Sequence, residues 1–194
     1  MALPARIIET FSPEEYLAQE KDSLHKNEYF AGEIFMMAGS STNHNRISLN
    51  TSGRLSFGLE GKRCEAFNSD QRLFIKKNGL FTYPDAMVVC GRIEFDKKDS
   101  EAITNPIVIV EVLSPSTQDY DRGSKFELYR DIDSFREYIL IHQDKVHIEH
   151  YHKDDTNRWI LTEIKDIEEG LTFHTINFSL PIRQIYARVD WLIE

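Results

Sequence analysis

The seven residues IVIVEVL, positions 107–113, constrain this chain more than any other stretch. Apolar residues occupy both faces of the pleat, so the segment reads as a central strand covered on each side. Such a strand needs neighbours in a sheet and helices packed against it. Ser114-Pro115-Ser116-Thr117 stops it, and DYDRGSKFELYR at 119–130 then reads as a helix. Glu137–Ile141 (EYILI) follows as another buried strand, so strand, helix and strand predict a crossover onto a mixed or parallel sheet. Upstream, Tyr83-Pro84-Asp85 leads into Ala86–Cys90 (AMVVC), a short strand ended by Gly91.

Around this centre the local signals are simpler. Ser12-Pro13-Glu14-Glu15 predicts a helix start, with a Ser cap, Pro in the first turn and acids at the positive end of the dipole, running to about Glu20. Residues 28–38 (EYFAGEIFMMA) read as a strand or hairpin arm bent at Gly32. Ile47, Thr51 and Leu55 recur four apart and predict a helix over 43–57, interrupted in propensity by Gly53. Residues 63–67 and 70–76 look extended around Asn68-Ser69. Two further strands, 145–151 and 158–164, flank the turn Lys153-Asp154-Asp155-Thr156-Asn157, with another at 171–178 and a closing helix at 181–188. A length of 194 residues suits one α/β (α+β) domain, with a core over about 40–142 and a C-terminal β extension over 143–194.

Within IVIVEVL, Glu111 is the anomaly. A carboxylate moved into a protein interior costs several kcal/mol even after relaxation. A Lys or Arg partner, protonation or a metal ion must offset that cost. Asp85 stands at the mouth of another predicted central strand, behind Pro84, which stiffens the approach. If the two strands are neighbours, both carboxylates meet at one edge of the sheet, and a divalent cation removes their repulsion. Alone, Asp85 reads as a strand-entry residue and Glu111 as half of an ion pair.

Lys125 lies on the helix after Glu111, with Tyr129 one turn on. On the residues alone it pairs with Asp121, four positions earlier, on the surface. Its other role is to orient water or offset phosphoryl charge beside a metal. His44, Glu33 and Asp70 are auxiliary candidates, each with an ordinary structural reading: a solvated helix start, a strand edge and a turn.

The formal net charge of −9 opposes a substrate rich in phosphate, unless basic residues gather on one face. Cys64 and Cys90 fit no metal-ligand spacing and give no disulfide framework, and Cys90 reads as a small buried side chain. No apolar run approaches the ~20 residues that cross a bilayer, and the N-terminal stretch turns acidic where a leader is apolar, which predicts a cytoplasmic protein away from membranes.

YPDAMVVCG, IVIVEVLSPST, DYDRGSKFELYR and EYILI, in this order and with these gaps, resemble the Uma family of endonucleases within the PD-(D/E)XK, restriction-endonuclease-like superfamily. The segment at 28–38 and the His44 helix are similar as well, so the likeness spans about residues 10–190. It implies a mixed sheet of four or five strands flanked by helices, with Asp85 and Glu111 as ligands of Mg²⁺ or Mn²⁺. The superfamily pattern places a Lys two residues after the Glu, where this chain has Leu113. The resemblance therefore implies that Lys125 supplies the missing cation from the following helix. The expected activity is metal-dependent hydrolysis of a nucleic-acid phosphodiester, with DNA favoured over RNA as the partner but neither fixed by the sequence, and with the oligomeric state open, a homodimer being one arrangement that cuts both strands. Two rivals stand beside it: a binding module that keeps the fold without cutting, and a hydrolase of small phosphodiesters. One fold hosts many functions.

Overall fold

The structure is a computed structural model describing residues 10–37 and 39–192; the first nine residues of the acidic-turning N-terminal stretch lie outside that range. Helix α1 (Pro13–Asp22) starts with a reciprocal cap: the Glu15 N–H donates to the Ser12 hydroxyl, and the Ser12 N–H donates to Glu15 Oε2 at 2.7 Å. Strands β1 (Asn27–Phe30) and β2 (Glu33–Met36) form a hairpin, whose two-residue turn holds Ala31 at φ 51° and Gly32 at φ 90°. Left-handed backbone at both positions matches the twist of the strands, and Gly takes it without steric cost. Helix α2 (Thr42–Gly58) follows, capped by Ser41.

Strands β3 (Cys64–Asn68), β4 (Leu73–Phe74), β5 (Phe81–Thr82), β6 (Ala86–Cys90) and β7 (Val108–Leu113) come next. The connection to β8 (Glu137–His142) is helical: α3 (Gln118–Tyr120), a π-helical turn (Asp121–Lys125) and α4 (Phe126–Tyr129). Strands β9 (Ile148–Lys153) and β10 (Trp159–Ile164), the hairpin β11 (Gly170–Phe173)–β12 (Phe178–Pro181), α5 (Ile182–Ile185) and a 3-10 turn (Asp190–Leu192) follow.

Six strands form the central sheet in the order β10-β9-β8-β7-β6-β3, wider than the four or five implied by resemblance. Only β7 and β8 run parallel, which is why a helical crossover joins them. A smaller sheet, β2-β1-β5-β4, packs its Tyr29 and Phe81 with Tyr16 of α1.

Every residue of β7 and β8 is buried, as the continuous apolar runs require. The pleat sorts them. Val108, Val110 and Val112 join Ile47 and Leu55 of α2 and the C-terminal Leu171, Ile182 and Ile185. Ile109 and Leu113 face Tyr129, Phe135, Tyr138 and Leu140. Glu111 shares the parity of Ile109 and Leu113, so its carboxylate lies on the face covered by the crossover helix.

Four local expectations are corrected. Residues 171–178 are not one strand but span the turn of the β11–β12 hairpin, where Asn177 sits at φ 45°. The closing helix covers only 182–185 of the expected 181–188. In the extended stretch 70–76 only Leu73–Phe74 pairs as a strand. Finally, Cys64 and Cys90 are joined in a disulfide, and Cys90 is half-buried rather than buried. The reason is register: the two cysteines are direct cross-strand partners, and the neighbouring Gly91 N–H donates to the Arg63 carbonyl at 2.7 Å. Cys64 and Cys90 thus occupy the non-hydrogen-bonded position, where opposed side chains approach most closely. Sequence spacing carries no trace of that register.

Candidate active site

Strands β6 and β7 run antiparallel with Ala86 opposite Val110, so the residue before Ala86 falls opposite Glu111. Asp85 is that residue. Its side chain continues the ladder that its strand has left: the Val112 N–H donates to Asp85 Oδ2 at 2.7 Å. The Asp85 N–H points back at Glu111 Oε2, at 3.4 Å. Two acids separated by 26 positions thereby share one end of the sheet.

Glu111 is 5 % exposed, and the chain surrounds it closely. The Tyr129 hydroxyl donates to Oε1 at 2.6 Å, and Lys125 Nζ lies 2.9 Å from the same oxygen. The lysine is shared. Its Nζ is also 3.0 Å from Glu28 Oε1 and 3.6 Å from Asp121 Oδ1, and it sits over the rings of Tyr120 and Tyr129. Glu28, from β1, accepts a further bond from the Thr82 hydroxyl. Glu28, Glu111, Asp121 and Lys125 are all buried, and Asp85 is nearly so. Three carboxylates therefore gather around one ammonium, with Asp85 beside Glu111.

That imbalance sets the protonation states. Burial pushes Glu111 up to about 8 against the pull of Lys125, and the charges of Asp121 and Asp85 push the same way. Burial also raises Asp121 from its ordinary value, opposed by Lys125. Glu28 goes the other way: Lys125 and the Thr82 hydroxyl outweigh its burial and hold it low. Burial alone would lower Lys125, yet the surrounding acids, Glu111 foremost, hold it well above its ordinary value.

His44 comes from the first turn of α2, on the opposite side of the sheet, and reaches over its end. Its Nε2 lies 3.4 Å from Asp85 Oδ2, and its ring is partly open to solvent. Burial would lower this imidazole, but its bond to Asp85 and the charges of Asp85 and Glu111 raise it.

A divalent cation fits this donor set. Asp85 Oδ2 is committed to the Val112 N–H, whereas Oδ1 accepts no hydrogen bond among the described residues. Glu111 Oε1 is committed to Tyr129 and Lys125, whereas Oε2 receives only the long contact from the Asp85 N–H. Each acid thus keeps one oxygen for an ion, in a region with surplus negative charge, and hard oxygen donors suit Mg²⁺ or Mn²⁺.

Residues 13–183 match the family described as "Uma2: Putative restriction endonuclease". The chain belongs to this family. An uncharacterized protein of Synechocystis sp., slr1290, is 38 % identical over 183 residues, covering 94 % of this chain and 95 % of its own length. A second uncharacterized Synechocystis protein, sll1609, is 41 % identical over 150 residues, covering 77 % of this chain and 85 % of its own. Among solved structures, a crystal structure of a "putative nuclease belonging to DUF820" from Anabaena variabilis superposes with a TM-score of 0.70 at 16 % identity, covering 89 % of this chain and 96 % of that one. The fold of this Uma2 member is accordingly restriction-endonuclease-like, a mixed sheet flanked by helices.

Of the residues singled out from sequence, the Uma2 fold brings together Asp85, Glu111, Lys125 and His44. Lys125 is not the surface partner of Asp121 that the four-residue spacing alone predicts; both are buried beneath the crossover. Leu113, where the superfamily pattern has its Lys, is packed with Ile109 and Leu140. Glu33 is exposed on edge strand β2, and the hairpin's contribution to the cluster is Glu28 instead. Asp70 is exposed in the turn after β3, bound to Lys26 at 2.6 Å, and is not in the cluster. Glu28 and Tyr129 are members of the cluster that the sequence alone does not reveal. Nothing local to Glu28 marks it, because its partner Lys125 lies far along the chain. The spacing of Asp121, Lys125 and Tyr129 puts three side chains on one helical stripe, but it fits a solvated stripe as well as a buried one.

Proposed function

We propose that this protein is a metal-dependent endonuclease that hydrolyses phosphodiesters of DNA, with Mg²⁺ or Mn²⁺ held by Asp85 and Glu111. The observation that carries the reading is the surplus of buried carboxylates around Lys125, with one uncommitted or lightly used oxygen on each proposed ligand. When bound, the ion supplies Lewis-acid stabilisation of the phosphoryl charge and a more acidic water. The Val112 N–H fixes the Asp85 carboxylate, and Tyr129 and Lys125 fix that of Glu111, so the acids are oriented before any ligand arrives. Lys125 holds positive charge beside the position of the reacting phosphate, and its neighbours Glu28 and Asp121 keep that ammonium in place. His44, favoured in its charged form by Asp85, offers a second positive contact for a phosphate oxygen at the open side.

A polymeric substrate is favoured over a small phosphodiester by a groove of about 450 Å³ along α2, the helix that carries His44 at its start. Arg46, Arg54 and Arg188 line it with Asn45 and Asn50, and no acidic side chain does among the described residues. Three arginines are thus gathered without a neighbouring acid in the groove, the local condition under which an acidic protein still binds phosphates. The test is Mg²⁺- or Mn²⁺-dependent nicking of plasmid and single-stranded DNA by purified protein. Asp85→Asn and Glu111→Gln should each abolish it while the fold persists by circular dichroism; full activity in either variant removes the mechanism.

A further inference from the structure

Away from Asp85 and Glu111, the sheet carries a second concentration of ligating side chains. Strands β8 and β9 meet in a tight hairpin, closed by the His142 N–H donating to the His147 carbonyl at 3.0 Å. His142 and His147 therefore stand opposite one another, and their rings stack with centroids 4.4 Å apart and planes inclined by 8°. Glu149 is two residues beyond His147 and so shares its face of the pleat. One ligand atom from each of His142, His147 and Glu149 lies within 4.8 Å of the other two. His142 and Glu149 are buried, and His147 is half-buried.

The surroundings suit a cation. Arg122, on the π-helical turn, reaches down to this face; its guanidinium lies 2.7 Å from His142 Nε2 and 2.8 Å from Glu149 Oε1. An arginine can only donate, so the 2.7 Å contact makes His142 Nε2 an acceptor, in preference to donating to Glu149 Oε1 at the longer 3.3 Å, and the neutral ring points a lone pair into the cluster. Carboxylates stand beside both imidazoles: Asp144 Oδ1 is 3.8 Å from His142 Nδ1, and Glu163 Oε1 is 2.8 Å from His147 Nε2. Such carboxylate partners are the usual support for histidines that bind metals. The space between His142 and Glu149 already holds one positive group.

We propose that His142, His147 and Glu149 form a second metal site, selective for a divalent transition ion of the zinc class and filled by displacing the Arg122 guanidinium. Two imidazoles and one carboxylate, with a fourth position left to water, are a donor set for Zn²⁺ and not for Mg²⁺, which takes oxygen ligands. His142 Nε2 and Glu149 Oε1 already stand 3.3 Å apart, close to the ~3.4 Å between two ligands on bonds of about 2.1 Å, so His147 is the ligand whose ring must turn into the space that Arg122 vacates. Arg122 precedes Lys125 by three residues on the same π-helical turn. Occupancy of this site therefore removes one of the ties between that turn and strands β8 and β9, leaving the bond from the Tyr138 hydroxyl to the Asp121 carbonyl.

The test uses chelator-stripped, full-length Asp85→Asn protein, so that the proposed catalytic ion does not contribute to the signal. Calorimetric titration with ZnCl₂ in the presence of excess MgCl₂ should show a single bound ion, and Co²⁺ in its place should give the visible absorption of a low-coordinate nitrogen site. Adding His147→Ala, at a half-buried position, should weaken Zn²⁺ binding about tenfold or more, whereas adding Arg122→Gln should tighten it by removing the competing cation. Absence of Zn²⁺ binding, or binding untouched by both changes, overturns the proposal. Because the background is inactive by design, the outcome is independent of the nuclease reading.

Discussion

Replacing Lys125 by Met tests the electrostatic account of the cluster directly. The side chain keeps its length and loses its charge, leaving Glu28, Glu111 and Asp121 buried without the ammonium now 3.0, 2.9 and 3.6 Å from them. At an effective dielectric near 20, each such contact is worth roughly 5 kcal/mol of raw attraction. Much of that is returned, because the ammonium no longer needs to be stripped of water, and measured losses for one partner of a buried pair are about 3–5 kcal/mol. For a domain of this size that corresponds to a fall in Tm of about 10 °C or more. The loss should depend on pH in a defined direction. Glu111 already stands near 8, raised by burial despite Lys125. A carboxyl group raised in the folded state subtracts stability progressively as pH climbs from its unfolded value to its folded one. Without Lys125 the folded value moves higher still, so the deficit against wild type should widen from pH 6 to pH 9. Mg²⁺ or Mn²⁺ should narrow it, since a divalent ion restores positive charge among the same acids. Urea unfolding at both pH values, with and without the metal, measures all three effects. A variant as stable as wild type at pH 9 without metal would refute the reasoning.

Glu137 is fully buried and accepts from His150, from the Thr175 hydroxyl and from the N–H groups of His174 and Thr175, tying the β11–β12 turn to β8. Glu137→Ala should cost about 3 kcal/mol, seen as a lower urea midpoint, because it orphans several buried donors at once. These partners hold Glu137 below its ordinary value against its burial, so wild-type stability should decline as pH falls through that lowered value, and Glu137→Ala should flatten the decline. At Gly58, the last residue of α2, an added Cβ would stand 2.2 Å from the Phe178 ring. Gly58→Ala should therefore destabilise by about 1–3 kcal/mol despite the better helix propensity of Ala, and a thermal melt showing stabilisation contradicts the packing. Arg46→Glu with Arg54→Glu should slow plasmid nicking and flatten its dependence on salt, while leaving hydrolysis of a small model phosphodiester unchanged. Equal loss on both substrates would locate those arginines in the chemistry rather than the groove.

How much of this was legible depended on whether a signal was local. IVIVEVL announced the central strand, and the buried Glu111 within it announced the cluster, because a charge in an apolar run demands a partner. Ile47, Thr51 and Leu55 marked the inner face of α2, and all three are buried. The convergence of Asp85 on Glu111 was readable as a condition on strand adjacency, and β6 and β7 are indeed paired. What stayed hidden was register and long-range pairing. Cys64 opposite Cys90, Glu28 beneath Lys125 and the His142–His147 pair each depend on which strand lies beside which, and at what offset. Lys125 was visible as a lysine on a helix, but its burial was not, since the i,i+4 partner that fits a solvated pair also fits a buried one.

The route from β7 to β8 has a kinetic consequence. Glu28, Asp85 and Glu111 sit on or beside sheet strands and an early hairpin, whereas Asp121 and the lysine that makes their proximity tolerable ride on the connection between two parallel strands. Until that connection docks, Glu28, Glu111 and Asp85 lack their counterweight, and any excursion that lifts it exposes them to water and to one another. The cluster and its covering helix should therefore form and open as one cooperative unit, with amide hydrogen exchange in residues 118–129 reporting on the integrity of the acids beneath.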